Sequence, residues 1–361
     1  MNFFSLYIHI PFCSRKCLFC SFVIAVGQEH RREEYVTALI DEMKDYKGTS
    51  IKTIYFGGGT PSMLEEKHFE RLMHAIEENF LIPKDIEITT EANPESVDRS
   101  KAQFLKSIGF NRISLGVQSM NDRYLRFLGR GHDARMAREA YDVLRQAGFA
   151  NINLDLMYAF PQQTQQELIE DVKGISLLGS EHLSLYTLTI EPNSRFFAAQ
   201  MKLDDDEKLA EHYLLIARIL GEDGLKQYEI SNFAKPGFQS AHNRSYWLGE
   251  PYIGLGVGAH GFTGRRRYWN TSNLKDYMHK ISHEGHAIEG HEDLTDDQLI
   301  MERVLFGLRM NEGILSKLVP SPKQELVDRW VKDGFLLLEN GNLKTTDRGR
   351  LVLDELSVRL I

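Results

Sequence analysis

Six short runs of strand-forming residues punctuate the first half of the chain, at Ser5–Ile10, Lys52–Phe56, Asp85–Thr90, Arg112–Gly116, Asn151–Leu156 and His182–Thr187. Between them, apolar residues recur at helical spacing over Arg32–Tyr46, Lys67–Asn79, Ala134–Ala147 and Gln165–Leu178, with Gly109 and Gly148 where helix C-caps belong. Strands that alternate with helices are re-entered through right-handed crossovers, so the sheet they build is parallel. Polar and glycine-rich signals follow strand after strand. Three cysteines come after the first, Gly57-Gly58-Gly59-Thr60-Pro61 after the second, then Glu91, Gln118 and, at the end of the fifth, Asp155. A β/α barrel shows its chemistry at the carboxyl ends of its strands, whereas a doubly wound sheet gathers ligands at one switch point. The pattern therefore predicts an α/β fold, a partial (β/α)6 TIM-like barrel over residues 1–190. With six units instead of eight, its open side would admit a large substrate edgewise.

The cysteines are Cys13, Cys17 and Cys20, the only three in 361 residues, in the stretch PFCSRKCLFCSF. An odd trio so close together cannot all pair as disulfides, and core cysteines follow strand or helix periodicity. Soft thiolates converging on one centre suit the spacing. Zinc would need a fourth ligand, with His9 the nearest candidate. A [4Fe–4S] cluster normally takes four cysteines, so three would leave one iron open to a small molecule.

Other motifs carry less alone. The triple glycine lets the backbone approach a ligand, although glycines also mark plain strand-to-helix turns. Glu91, in ITTEANPES, suits an acceptor pair for ribose hydroxyls. Asp155 sits inside an apolar strand, where a buried carboxylate needs partners. Gly256-Val-Gly258-Ala-His-Gly261 matches G-x-G-x-x-G, but no helix follows and a dinucleotide site is not expected. In His242-Asn243-Arg244-Ser245-Tyr246-Trp247 the plain reading is a polar loop with anchored aromatics. The sharper one is a flat macrocycle site with an imidazole axial ligand, and His260 is a second candidate ligand.

Net charge of −8 and a pI near 5.9 argue against sustained nucleic-acid binding. The basic run Arg265–Arg267 reads as a solvated turn. The first residues show no signal-peptide pattern, and no stretch approaches the ~20 apolar residues of a membrane span. Thiols that hold a reducible centre point to the cytoplasm, and nothing in the composition speaks against peripheral membrane contact. After residue 190 the rhythm changes. Asp204-Asp205-Asp206 leads into a helix over Glu207–Leu220, with Leu209, Tyr213, Leu214, Ile216, Ala217 and Leu220 as its apolar face, and a strand is expected at Gln227–Asn232. Residues 191–292 read as an extension that completes or covers the barrel and carries the HNRSYW loop. Residues 293–361 read as a small winged-helix-like module: a capping box at Thr295/Gln298, a helix at Pro322–Lys332, a hairpin turning at Asn340-Gly341, and a last helix over Arg348–Val358.

Together, LYIHIPFCSRKCLFC, YFGGGTPS, TTEANPES, RISLGVQS, LGRGH, INLDLMYAFPQQT and HNRSYWLGEPYIGLGVGAH resemble the radical S-adenosylmethionine (SAM) family. The resemblance lies in the branch that holds oxygen-independent coproporphyrinogen III oxidase and the HemW-type haem chaperones. It implies that Cys13, Cys17 and Cys20 ligate a [4Fe–4S] cluster, that Tyr7, Gly58 and Glu91 contact SAM, and that Phe19, Gly59, Thr60, Gln118, Arg130 and Asp155 line a SAM or second nucleoside site. The oxidases resemble C-x3-C-x2-C-x-C, whereas Phe22 stands at the extra cysteine's place here, and only twelve residues precede Cys13. HNxxYW is a feature of the chaperone branch; Ser21 replaces the acidic residue usual there. The resemblance thus implies a chaperone that takes haem as cargo to haem-accepting proteins, with His242 as haem ligand, Tyr246 and Trp247 shaping the pocket, and an electron donor as a further partner. The enzymatic alternative is oxidative decarboxylation of coproporphyrinogen III.

Overall fold

The computed structural model describes residues 3–203 and 205–360; Asp204 of the acidic run, like Met1, Asn2 and Ile361, lies outside the described residues. Strands β1 (Phe4–Ile10), β2 (Thr49–Gly58), β3 (Glu87–Ala92), β4 (Arg112–Gln118), β5 (Asn151–Tyr158) and β6 (His182–Thr187) pair in parallel, each with the next in chain order. The six expected strands are all present; four of them run two residues further at the carboxyl end, and the third starts two residues later than expected. Their outward side chains, among them Ile8, Ile54, Phe56 and Ile113, are sealed from solvent beneath the helices, each burial worth ~1.5–3 kcal/mol. The helices present narrow stripes to them; Ala137, Ala140, Tyr141 and Leu144 are the buried residues of Ala134–Gln146, at i, i+3, i+4 and i+7. Gly109 and Gly148 end two helices with φ of 102° and 89°. Each is followed by the long bond of a Schellman turn, Phe110 N–H to Leu105 O and Phe149 N–H to Leu144 O, both 3.2 Å.

The extension divides between the two edges of this sheet. Beside β6, β7 (Lys226–Gln227) and β8 (Asn232–Ala234) add antiparallel pairs. Beside β1, β9 (Tyr252–Leu255) adds a seventh parallel strand, followed by the antiparallel meander β10 (His260–Phe262), β11 (Arg266–Asn270) and β12 (Ile288–Asp293). Among the described residues no ladder joins β7 to β12, so the barrel stays open.

Several local expectations are corrected. The strand expected at Gln227–Asn232 is a tight reversal in which Tyr228 N–H donates to Asn232 O at 3.0 Å. The helix after the acidic run buries His212, Leu215, Ile216, Ile219 and Leu220, and leaves Leu214 exposed. Its inner face is therefore rotated from the one read from the sequence. HNRSYW is not a loop but a helix, Ala241–Trp247, capped by the Ser240 side chain on Asn243 N–H. In the arginine run Arg265 and Arg266 are exposed, as a solvated run should be, but Arg266 and Arg267 open β11 and all three are ion-paired, Arg265 with Asp296, Arg266 with Asp293 and Arg267 with Glu302.

The last residues form a second core, with Val304, Leu308, Val327, Trp330, Leu343 and Leu356 at its centre. The Thr295/Gln298 capping box is reciprocal. Leu336–Glu339 and Asn342–Thr345 pair through Asn340 and Gly341, both at positive φ as a type I′ turn demands. The expected last helix is split into Asp347–Arg350 and Leu353–Leu360. Among the described residues no helix is long and apolar enough to cross a membrane.

Candidate functional site

At the carboxyl ends of the strands lies a cavity of about 700 Å³. Cys13, Cys17, Cys20, Phe19, Gly58, Gly59, Thr60, Glu91, Gln118, Arg130 and Asp155 all line it, gathered from the ends of β1 to β5 and the loops that follow. The cysteine loop is stitched down at both ends. Gly59 and Thr60 N–H donate to Ile10 O and Phe12 O at 2.8 and 2.9 Å, and Leu18 N–H donates to Leu128 O at 3.0 Å. Gly59 is obligatory here, because a Cβ would stand 2.6 Å from Pro11 O. Cys13 Sγ lies 3.4 Å from Thr60 Oγ1, and burial pushes its thiol up to about 11; burial raises Cys20 as well.

Arg130 reaches into the cavity from the turn after Leu128. Its Nη2 donates to both Asn93 Oδ1 and Gly116 O at 2.7 Å each, and its Nη1 points at Cys17 Sγ, 3.5 Å away. Its Nε is buried without a partner among the described residues. Gln118 ends β4 at a φ of 71°, a left-handed position where the β4–β5 register slips, which re-aims its side chain to the cavity. Glu91 accepts from the Tyr55 hydroxyl at 2.8 Å and Gly58 N–H at 3.0 Å, and burial pushes its carboxyl up to about 7. Asp155 has the partners its burial demands, Asn153 Nδ2 at 2.7 Å and Ser114 Oγ at 3.4 Å; burial raises its pKa too.

Tyr7 lies beyond this cavity's wall. It lines a second cavity of about 420 Å³ with His9, Phe22, Tyr246, Tyr252 and His260, and the two spaces share Ser21, Phe22, Gly58 and Glu91. The HNRSYW helix enters from the other end of the barrel. Glu87, first residue of β3, accepts from Ala241 and His242 N–H, and Ser5 Oγ meets Ser245 Oγ at 2.8 Å. His242 is 1% exposed, with Nδ1 2.8 Å from Thr53 Oγ1 and Nε2 2.9 Å from the Tyr246 hydroxyl. Burial, then Arg112 and Lys52, lower it to about 3. Both nitrogens of the expected axial ligand are thus engaged within the protein, and Trp247 faces Phe306 and Arg309 of the C-terminal module. Of the three residues expected around a macrocycle, Tyr246 lines the second cavity.

Several residues of the site were not read from the sequence. Asn93 bridges Arg130 to Thr60, donating to Thr60 Oγ1 at 3.0 Å, and Tyr55 holds Glu91. Asn93 was visible inside EANPES, two places after Glu91. Tyr186, 42% exposed at the end of β6, had no signal beyond its place in a strand.

The radical SAM superfamily pattern matches residues 7–175. The haem chaperone HemW of Bacillus subtilis is 34% identical over an alignment covering 97% of both chains. The chain belongs to the HemW family of radical SAM proteins. HemW of Lactococcus lactis is 35% identical, covering 96% of this chain and 92% of its own. The structure of coproporphyrinogen III oxidase (HemN) from Escherichia coli, a radical SAM enzyme, superposes with a TM-score of 0.87 at 26% identity, covering 99% of this chain and 90% of that one. Radical SAM membership brings with it a [4Fe–4S] cluster and SAM. The cavity fits both. Among the described residues no three His, Cys, Asp or Glu side chains close on a point as the ligands of a single ion do. A cluster instead takes one thiolate at each of three separate irons. The unpartnered Arg130 Nε and the Gly58–Glu91 pair supply the donors and acceptors a nucleoside needs.

Proposed function

We propose that this protein binds haem and hands it to haem-accepting proteins, on a frame that carries a [4Fe–4S] cluster and SAM. The observation that carries this is the end-to-end likeness to haem chaperones, 34% identical with 97% of each chain aligned. Cys13, Cys17 and Cys20 hold the cluster on the loop after β1. Gly58 and Glu91, which both cavities share, hold SAM with Tyr7 on the far side of them, while Phe19, Gly59, Thr60, Gln118, Arg130 and Asp155 complete its walls. When bound, the cluster and SAM would supply a one-electron reducing centre beside Cys13, Cys17 and Cys20. Arg130 and the backbone around Gly59 keep charge and geometry fixed there, and the half-buried Phe19 helps exclude water. An electron donor and a cytoplasmic location complete the reading, with any membrane contact made at the surface.

The second reading is coproporphyrinogen III oxidase, favoured by the fit to that enzyme's structure. Anaerobically reconstituted protein separates the two. Haemin titration is expected to give a Soret complex, and incubation with dithionite, SAM and coproporphyrinogen III is expected to yield no protoporphyrinogen. Robust decarboxylation by protein that takes up no haem would overturn the choice.

A further inference from the structure

We infer that the smaller cavity, between β1 and the β9–β10 turn, is the haem site and that His260 is its axial ligand. The inference rests on the haem reading above and says where on the chain that cargo sits.

The histidines themselves point there. His9, His132, His182 and His242 are all buried, and each has both ring nitrogens hydrogen-bonded. His260 lines the second cavity with neither nitrogen bonded among the described residues. A metal takes an imidazole nitrogen that has nothing else to hold.

The surroundings suit a flat apolar ring. Tyr7, Tyr246 and Tyr252 form one wall, and Phe22, 65% exposed, stands at the opening. Trp269, paired with His260 across β10 and β11, lies 6.1 Å from the imidazole between ring centroids. At about 420 Å³ the space is within the ~300–1,000 Å³ usual for small-molecule sites. It is open to solvent, as a site that must give up its cargo has to be.

The glycine run that resembled a dinucleotide motif finds its reason here. Of its glycines, Gly258 would place a Cβ 2.8 Å from Val23, and Gly254, two residues before the run, would place one 1.8 Å from His260 O. The turn can therefore close on β9 and on the cysteine loop only with glycine at both places, and that closure sets His260 at the cavity's edge. HNRSYW acts from behind: His242 holds the Tyr246 hydroxyl, and Tyr246 forms the wall. Since Ser21, Phe22, Gly58 and Glu91 line both spaces, a haem here lies against the SAM site.

The test titrates ferric haemin into the full, cluster-loaded chain, read by the Soret band and by electron paramagnetic resonance of the ferric haem. Wild type is expected to show an imidazole-ligated haem. His260→Ala should lose that signature and bind roughly tenfold more weakly, and added free imidazole should restore the signature. His242→Gln should keep it. If His260→Ala keeps the wild-type spectrum and affinity, the site is overturned while the haem reading stands. If wild type forms no haem complex, the haem reading falls and the site with it. Should His260→Ala fail to hold its cluster, Phe22→Asp takes its place, and unchanged haem affinity there would overturn the site.

Discussion

Glu91 is the residue whose charge the cavity controls most directly. Burial holds its carboxyl up at about 7, while the Tyr55 hydroxyl and Gly58 N–H favour the anion. A carboxylate accepts ribose hydroxyls more strongly than a neutral acid does. SAM affinity should therefore fall as pH drops through 7, approaching tenfold per pH unit. Glu91→Gln should bind about tenfold more weakly at about pH 8 and lose the pH dependence between about 6 and 8. Calorimetric SAM titration at several pH values checks this, and an unchanged slope in the variant would remove Glu91 from the site. Glu91 could be singled out from one line of sequence because it stands at the carboxyl end of a strand. Tyr55, which holds it, could not, because the pair forms across two strands; Asn93 stood in the same motif, but its partners Thr60 and Arg130 lie on other loops.

At the scale of elements, the extension is tied to the barrel through Glu42 on the helix Arg32–Met43. This carboxylate, 4% exposed, accepts from Gly256 N–H, Asn270 Nδ2 and the Tyr277 hydroxyl at 2.6–2.8 Å. Burial pushes it up to about 7. A carboxyl raised on folding adds stability while protonated. That contribution is full below about pH 4.5 and is lost as pH rises through about 7, a span of up to about 3 kcal/mol. Glu42→Gln cannot titrate and turns an amide N–H₂ toward a donor, so it should cost about 1–3 kcal/mol at acidic pH. Its deficit against wild type should shrink between about pH 5 and 8. Urea unfolding across that range reads both, and a deficit that stays constant would place the titration elsewhere. Glu42 sits in a helix whose sequence reads as an ordinary amphipathic surface element, and nothing local marks it as buried.

At the scale of the molecule, the C-terminal module is locked to the barrel by Arg309. Its guanidinium lies 4.3 Å from the Trp247 ring centroid and 3.5 Å from the carboxylate of the fully buried Glu229. Arg309→Ala would leave that carboxylate without its cation. The expected cost is about 3 kcal/mol, the low end for stripping a buried ion of its partner, because Arg309 is itself part-exposed. Amide exchange should quicken in both the Trp247 helix and the module; quickening in the module alone would show that the two are not coupled through this residue. Trp247 is thus better accounted for as the seat of this contact than as a wall of the macrocycle site.

The alternation of strands and helices, the three clustered cysteines and the residues that follow each strand were legible in the sequence. All are written by local rules: a period of two or 3.6, a glycine where φ is positive, a ligand spacing within one loop. What the tertiary structure alone decided is which of two motif histidines keeps a free nitrogen. Burial and hydrogen bonding depend on what the fold brings against each ring: for His242, Thr53 of β2, 189 residues away in the chain, and for His260, a glycine turn that the sequence alone presents as a nucleotide motif.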